Sequence, residues 1–224
     1  MAPLIAIIGC DGSGKSTLTV DLVATLRPER RVASRYLGLG SGSIGERIGH
    51  VPLVGPTLQR RLARKGKQTR TKGGRIPGLP TALVVYAFSL LRRRRFRQAL
   101  ALRRRGVTVI TDRYPQTDVP GFYDGPGLSA AAAGSAPVAW LAARERRLYD
   151  WMASYKPTLV LRLNIDAETA HARKPEHDLD LLRQKVAVTP LLGFNGATIV
   201  DLDSRAPYAQ MRQRALDSIR AAVG

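Results

Sequence analysis

The chain predicts an α/β fold in which a five-stranded parallel sheet is flanked by helices on both faces, and three observations carry this. Apolar runs of strand length alternate with amphipathic stretches, the pattern of successive βα units. The segment Gly9-Cys10-Asp11-Gly12-Ser13-Gly14-Lys15-Ser16 reads G-x-x-x-x-G-K-[ST], a P-loop set between an apolar run and a helical one. A later apolar run closes on Asp112-Arg113-Tyr114, which puts a carboxylate at the edge where open parallel sheets hold ligands.

Strands are expected at 4–8, 32–37, 107–111, 158–163 and 198–202, each a short run rich in Val, Ile, Leu and Thr. Helices are expected at 15–26, where Leu18, Leu22 and Leu26 share a face, and at 83–104, 137–154, 167–173, 179–186 and 207–223. Trp140 and Trp151 fall at helical spacing with Leu141, Leu148 and Met152, a pattern that packs a helix onto the sheet. Residues 38–80 show no period and carry many Gly, Pro and basic residues, so they read as a long insertion. A second loop is expected across 115–137, with four prolines and four glycines and an alanine run at 130–133.

The P-loop carries a definite chemistry. Glycines let the backbone curl so that successive N–H groups of Gly9, Cys10, Asp11, Gly12, Ser13, Gly14, Lys15, Ser16 and Thr17 can face a polyphosphate. The helix N-terminus adds partial positive charge and Lys15 a full one, while the Ser16 hydroxyl suits Mg²⁺. A nucleoside triphosphate, ATP, is the expected ligand. Asp112 stands as the second metal-side group, and Arg113 offers a planar fork to another phosphate.

With 224 residues and 44% hydrophobic content, one domain spanning 1–224 is expected. No apolar run is long enough to span a membrane, and the start Met1-Ala2-Pro3 lacks the pattern of a signal peptide. The one cysteine, Cys10, excludes an internal disulfide and suits a reducing, cytoplasmic setting. The net charge is +19 and unevenly placed: residues 47–111 hold 17 Lys or Arg and no acid. Such a field recruits anions, so nucleic acid or an anionic membrane surface stays open beside nucleotides. His50, His171 and His177 show no metal-ligand spacing.

These residues resemble the thymidylate kinases and their nucleotide-kinase relatives. Asp11 matches the family's acidic residue in the P-loop, Asp112-Arg113-Tyr114 its D-R-[YHS] motif, and Arg92, or a neighbour in 92–95, its helix arginine. Residues 156–166 resemble the family's fourth strand, and Arg183 stands where the family has an arginine in the helix after the lid. The resemblance covers most of 1–35 and 83–224. It implies the three-layer P-loop kinase fold and a short lid at about 173–180. It also implies transfer of the γ-phosphate of ATP, with Mg²⁺, to a nucleoside monophosphate such as dTMP. Lys15, Asp112, Arg113 and Arg173 become the catalytic set, with Lys174 as substitute for Arg173, because Gly12 and Ser13 leave the P-loop without a second cation. Asp11, Arg92, Arg113 and Tyr114 become the acceptor set, and Ser16 with Asp112 the metal pair.

The chain departs from that family where the base and sugar would bind. Tyr36-Leu37-Gly38-Leu39-Gly40 replaces F-P-x-R, and the S-x-x-x-Y-Q continuation is absent, with Pro115-Gln116-Thr117-Asp118 in its place. The acceptor therefore stays open among a nucleoside monophosphate, a nucleoside, a nucleic-acid end and a phosphorylated sugar or lipid intermediate. A nucleic-acid-binding ATPase and a homodimer also stay open.

Overall fold

The computed structural model describes residues 1–38, 78–130 and 135–224. Five strands, β1 (Leu4–Gly9), β2 (Val32–Tyr36), β3 (Thr108–Asp112), β4 (Leu159–Asn164) and β5 (Ile199–Asp203), form one sheet. Its order is β2-β3-β1-β4-β5 and every pairing is parallel. The helices are α1 (Lys15–Leu26), α2 (Leu79–Arg104), α3 (Ala136–Ala153), α4 (Ala167–Arg173), α5 (Leu179–Val188) and α6 (Tyr208–Val223). The expected sheet is thus present. Four of the strands run one residue further than their apolar stretches suggest, or begin one residue later, because ladder pairing sets their ends.

The central strand explains the layering. Along β1 alternate side chains enter opposite faces. Ile5 and Ile7 join Leu18, Leu22 and Leu26 of α1 and Met211, Leu216 and Ile219 of α6. Leu4, Ala6 and Ile8 join Phe96 and Leu100 of α2 and Tyr149 and Met152 of α3. A strand covered on both faces must be apolar throughout, and all six β1 residues are buried.

α2 and α3 run side by side in the same direction. Ala82 meets Val138 and Leu141 in one apolar cluster, Ser89 bonds Glu145, and Arg92 bonds Tyr149. α2 begins earlier than the sequence suggests, at Leu79, because Pro80 suits the first turn of a helix. Trp140 does not pack onto the sheet: it is 55% exposed, with Arg144 stacked on its ring at 4.3 Å. Trp151 does pack, edge-on against Phe96. The long basic insertion, apart from its ends, lies outside the described residues. Among the described residues no helix is long and apolar enough to cross a membrane.

Glu145 is a buried polar tie between these helices and the loop after β3. Its carboxylate accepts from Ser89 Oγ at 2.6 Å and from the Leu128 backbone N–H at 2.6 Å, and it is 0% exposed. Burial holds its pKa above the usual glutamate value, with those bonds opposing. Glu145→Leu preserves the volume but strands the Leu128 N–H without water. It should destabilise the fold by about 1–3 kcal/mol, read as a lower urea midpoint at unchanged m.

Candidate functional site

Parallel strands deliver their C-terminal ends to one edge, and the two chemical motifs meet there. β1 runs into the P-loop and its neighbour β3 ends on Asp112, with Ile7 and Asp112 in register. Gly12 has φ 85°, and a Cβ on it would stand 2.7 Å from the Ala170 carbonyl of α4. Gly14 caps α1 at φ 85°, where a Cβ would meet nothing within 4 Å. The first glycine therefore serves close packing of α4, and the second leaves room beside the helix N-terminus.

Lys15 is 7% exposed, and its ammonium donates to the Cys10 carbonyl at 2.6 Å. Burial and then Arg113 lower its pKa from 10.5 to about 8. Ser16 Oγ donates to Asp112 Oδ2 at 2.7 Å, while Asp112 Oδ1 is buried with no partner. A buried carboxylate oxygen without a donor, beside a hydroxyl, fits a hard cation such as Mg²⁺ completed by water and phosphate oxygens. Among the described residues no group of three or more His, Cys, Asp or Glu could hold a metal unaided.

Alternating charges cross the site. Asp11 of the P-loop faces Lys185 of α5 through Oδ2 and Arg113 through Oδ1, the latter at 3.1 Å. Arg113 also faces Asp124 Oδ2 at 3.6 Å, and Asp124 Oδ1 is taken by Arg92 of α2. Burial opposes ionisation of Asp11, yet Lys185, Arg113 and Lys15 together hold its pKa well below the usual aspartate value. Asp124, foremost, holds Arg113 above its ordinary value. The backbone is strained at the same spot: Arg113 has φ 73°, Tyr123 φ 43° and Asp124 φ 66°.

Lys15, Ser16, Asp112, Arg113 and Asp11 are thus brought together as the motifs suggest, and Arg173 reaches the P-loop as well. Its guanidinium donates to the Gly12 carbonyl at 3.4 Å and the Ser204 carbonyl at 2.9 Å. Arg92 arrives differently. It is 0% exposed and donates to the Leu37 carbonyl, the Asp124 carbonyl and carboxylate, and Tyr149 Oη, so it braces the site from behind. The expectation for Tyr114 needs correction. Its ring is buried edge-on between Phe96 and Phe194 and its hydroxyl donates to the Tyr155 carbonyl, so its side chain turns from the acceptor side into the core. Arg183 pairs with Glu168 and Asp180 at the surface. His171 Nδ1 meets the His177 carbonyl at 2.9 Å, a local tie.

Sequence reasoning missed two members. Asp124 lies in a glycine- and proline-rich loop with no period to orient it. Lys185 follows buried Leu182 by three residues and precedes Val186, so it shares the face that α5 lays on Cys10 and Ile165. That spacing was the available signal.

No protein-family model matches the chain. It is similar to the "Uncharacterized ATP-binding protein YghR" of Escherichia coli (strain K12), 46% identical over 217 residues, covering 96% of this chain and 86% of that protein. It is also similar to the "Uncharacterized ATP-binding protein YghS" of the same strain, 48% identical over 221 residues, covering 98% and 93%.

Anion binding here should depend on the charge of Lys15. With its pKa lowered to about 8, the ammonium is complete below that pH and is lost as pH rises through it. Pyrophosphate bound near pH 8.5 should therefore take up protons, seen as a calorimetric enthalpy that varies with buffer ionisation heat. A Lys15→Met chain should show no such uptake.

Proposed function

We propose that this chain, which belongs to the family of the ATP-binding proteins YghR and YghS, binds ATP and transfers its γ-phosphate to a phosphorylated acceptor of the nucleoside monophosphate type. ATP binding accords with the relatives' names and with the P-loop. The acceptor class rests on one observation: both carboxylates that flank Arg113, Asp11 and Asp124, have each oxygen facing a cation. A hydroxyl acceptor needs a carboxylate or imidazole base for its proton. A phosphate oxygen is already anionic and needs none. With the two carboxylates beside Arg113 neutralised by guanidinium and ammonium groups, and Asp112 facing the metal side with Ser16, the site suits the second kind of nucleophile.

The residues then divide the work. Lys15 and the P-loop amides hold the β- and γ-phosphates, and Arg113 steers the acceptor's phosphate into line. Ser16 and Asp112 would hold Mg²⁺, which when bound spreads the charge of the triphosphate. Arg173 keeps the lid end of α4 against Gly12 and so fixes the shape of the loop. A lone pair of the acceptor phosphate forms the new P–O bond as the bond to ADP breaks, its electrons leaving on the ADP oxygen.

ADP release assayed against matched acceptors tests this. Turnover is expected with nucleoside monophosphates, dTMP among them, and not with the parent nucleosides or with unphosphorylated sugars. Sustained turnover of a nucleoside with no gain from its monophosphate would overturn the acceptor class. Lys15→Ala should abolish transfer while the thermal melt stays close to wild type. Asp112→Asn should lower kcat, and Arg113→Ala should act chiefly on the acceptor KM.

A further inference from the structure

The P-loop has one lysine and no second cation, since Gly12 and Ser13 fill the places between its outer glycines. Phosphoryl transfer in such a site calls for another positive charge near the moving group. Four basic residues, Arg173, Lys174, Arg183 and Lys185, lie between β4 and β5 and could supply it. Arg183 is 55% exposed and held away by Glu168 and Asp180. Lys174, at the end of α4, is exposed. Arg173 is exposed too, and its terminal N–H groups are turned to backbone, the carbonyls of Gly12 and Ser204. Lys185 alone of the four is largely covered, its side chain 17% exposed, with its ammonium on a P-loop side chain.

We propose that Lys185 of α5 is the second phosphate cation of the site, resting on Asp11 and turning to the transferred phosphoryl group of ATP. The proposal rests on the ATP-dependent transfer reading above and adds a residue to it.

The placement follows from packing. α5 begins at an Asp178 cap, whose carboxylate accepts from the Leu181 N–H at 3.1 Å. Leu182, with Leu179 and Val186 beside it, packs against Cys10, Ile165 and Ala170. The far end is tied by Thr189 Oγ1 donating to Tyr123 Oη at 2.6 Å. Lys185 lies between these anchors, so its backbone is fixed while its four-carbon stem can still turn the ammonium.

The charges favour an exchange. Asp11 is met by Lys185 and Arg113, with Lys15 also acting on it. Arg113 is shared with Asp124, which Arg92 also meets, and Asp112 acts on Lys15, so four cations face three carboxylates and one positive charge is left in excess at the site. A phosphoryl group carrying two negative charges would draw Lys185 off Asp11, and Arg113 would keep that carboxylate paired. In the transfer itself the γ-phosphorus–oxygen bond to ADP breaks as the bond to the acceptor oxygen forms. Lys185 would offset the charge on the equatorial oxygens without giving up a proton.

The test separates this role from a purely structural one. The dissociation constants of ADP and of ATP, both with Mg²⁺, are measured for wild type, Lys185→Ala, Lys185→Arg and the surface control Arg183→Ala. Lys185→Ala should bind ADP within a few-fold of wild type and lose on the order of tenfold or more of the gain that the γ-phosphate brings. Lys185→Arg should restore much of that gain, and Arg183→Ala should match wild type. An unchanged ratio of ATP to ADP affinity in Lys185→Ala overturns the proposal.

The same pair of constants in an Asp11→Asn background removes the unpaired carboxylate as a cause. If Lys185→Ala then no longer alters the ratio, Lys185 acts only by holding Asp11 and the proposal fails. In turnover, Lys185→Ala should lower kcat on the order of 10²-fold or more with a small change in acceptor KM. A wild-type chain that phosphorylates no monophosphate would remove the transferase reading, while the affinity ratio would still decide the role of Lys185.

Discussion

Ionised Asp11 is the interaction on which the site depends. Burying a carboxylate is costly unless cations and donors surround it. Here the compensation comes from three separate parts of the chain: Lys15 at the start of α1, Arg113 just past β3, and Lys185 on α5. Each of those elements is placed by its own apolar packing, so the charges converge only in the finished fold. The reverse also holds. Asp11 lowers the mutual repulsion of three like charges that the fold brings close together.

Hydrophobic packing and site geometry are divided between different residues. The two main clusters lie above and below the sheet and use Leu, Ile, Val and aromatic side chains. A third, smaller cluster of Cys10, Ile165, Ala167, Ala170 and Leu182 sits under the P-loop and carries α4 and α5. It explains why Cys10 is buried, with burial raising its thiol pKa: the residue packs as a small apolar group. Backbone strain gathers at the site as well. Arg113, Tyr123 and Asp124 hold positive φ values where the loop after β3 folds back to set Asp124 between two arginines.

The sequence exposed whatever depends on local pattern. The strand–loop–helix of the P-loop, the order of βα units and the carboxylate at the end of β3 all leave a mark in neighbouring residues. α1 and α4 match their expected limits, because α1 starts at the P-loop lysine and α4 at an Asp166 cap bonded to the Thr169 N–H at 2.7 Å. What stayed hidden depends on partners remote in sequence. Arg92 reads like its three arginine neighbours, and only the facing Tyr149 and Asp124 make it a buried brace. Tyr114 follows Arg113 directly, yet the left-handed backbone at Arg113, which no sequence pattern marks, parts the two side chains, and Tyr114 enters the core against Phe96 and Phe194. Lys185 lies 174 residues from Asp11, so no local pattern joins them.

The site's charge balance also bears on how the chain uses its excess of basic residues. A net charge of +19 draws anions without selecting among them. Selection needs fixed geometry, and the described site fixes its cations by spending donors inside the protein. Arg92 is committed to Leu37, Asp124 and Tyr149, and Arg173 to two backbone carbonyls. Arg113 is held at both ends by acids but keeps a quarter of its side chain exposed, and its buried Nε has no partner. Lys15 bonds a single carbonyl and Lys185 a single carboxylate. The cations with least internal commitment are therefore those nearest the P-loop, where a polyphosphate would need them, and the more fully bonded ones form the frame that keeps them there.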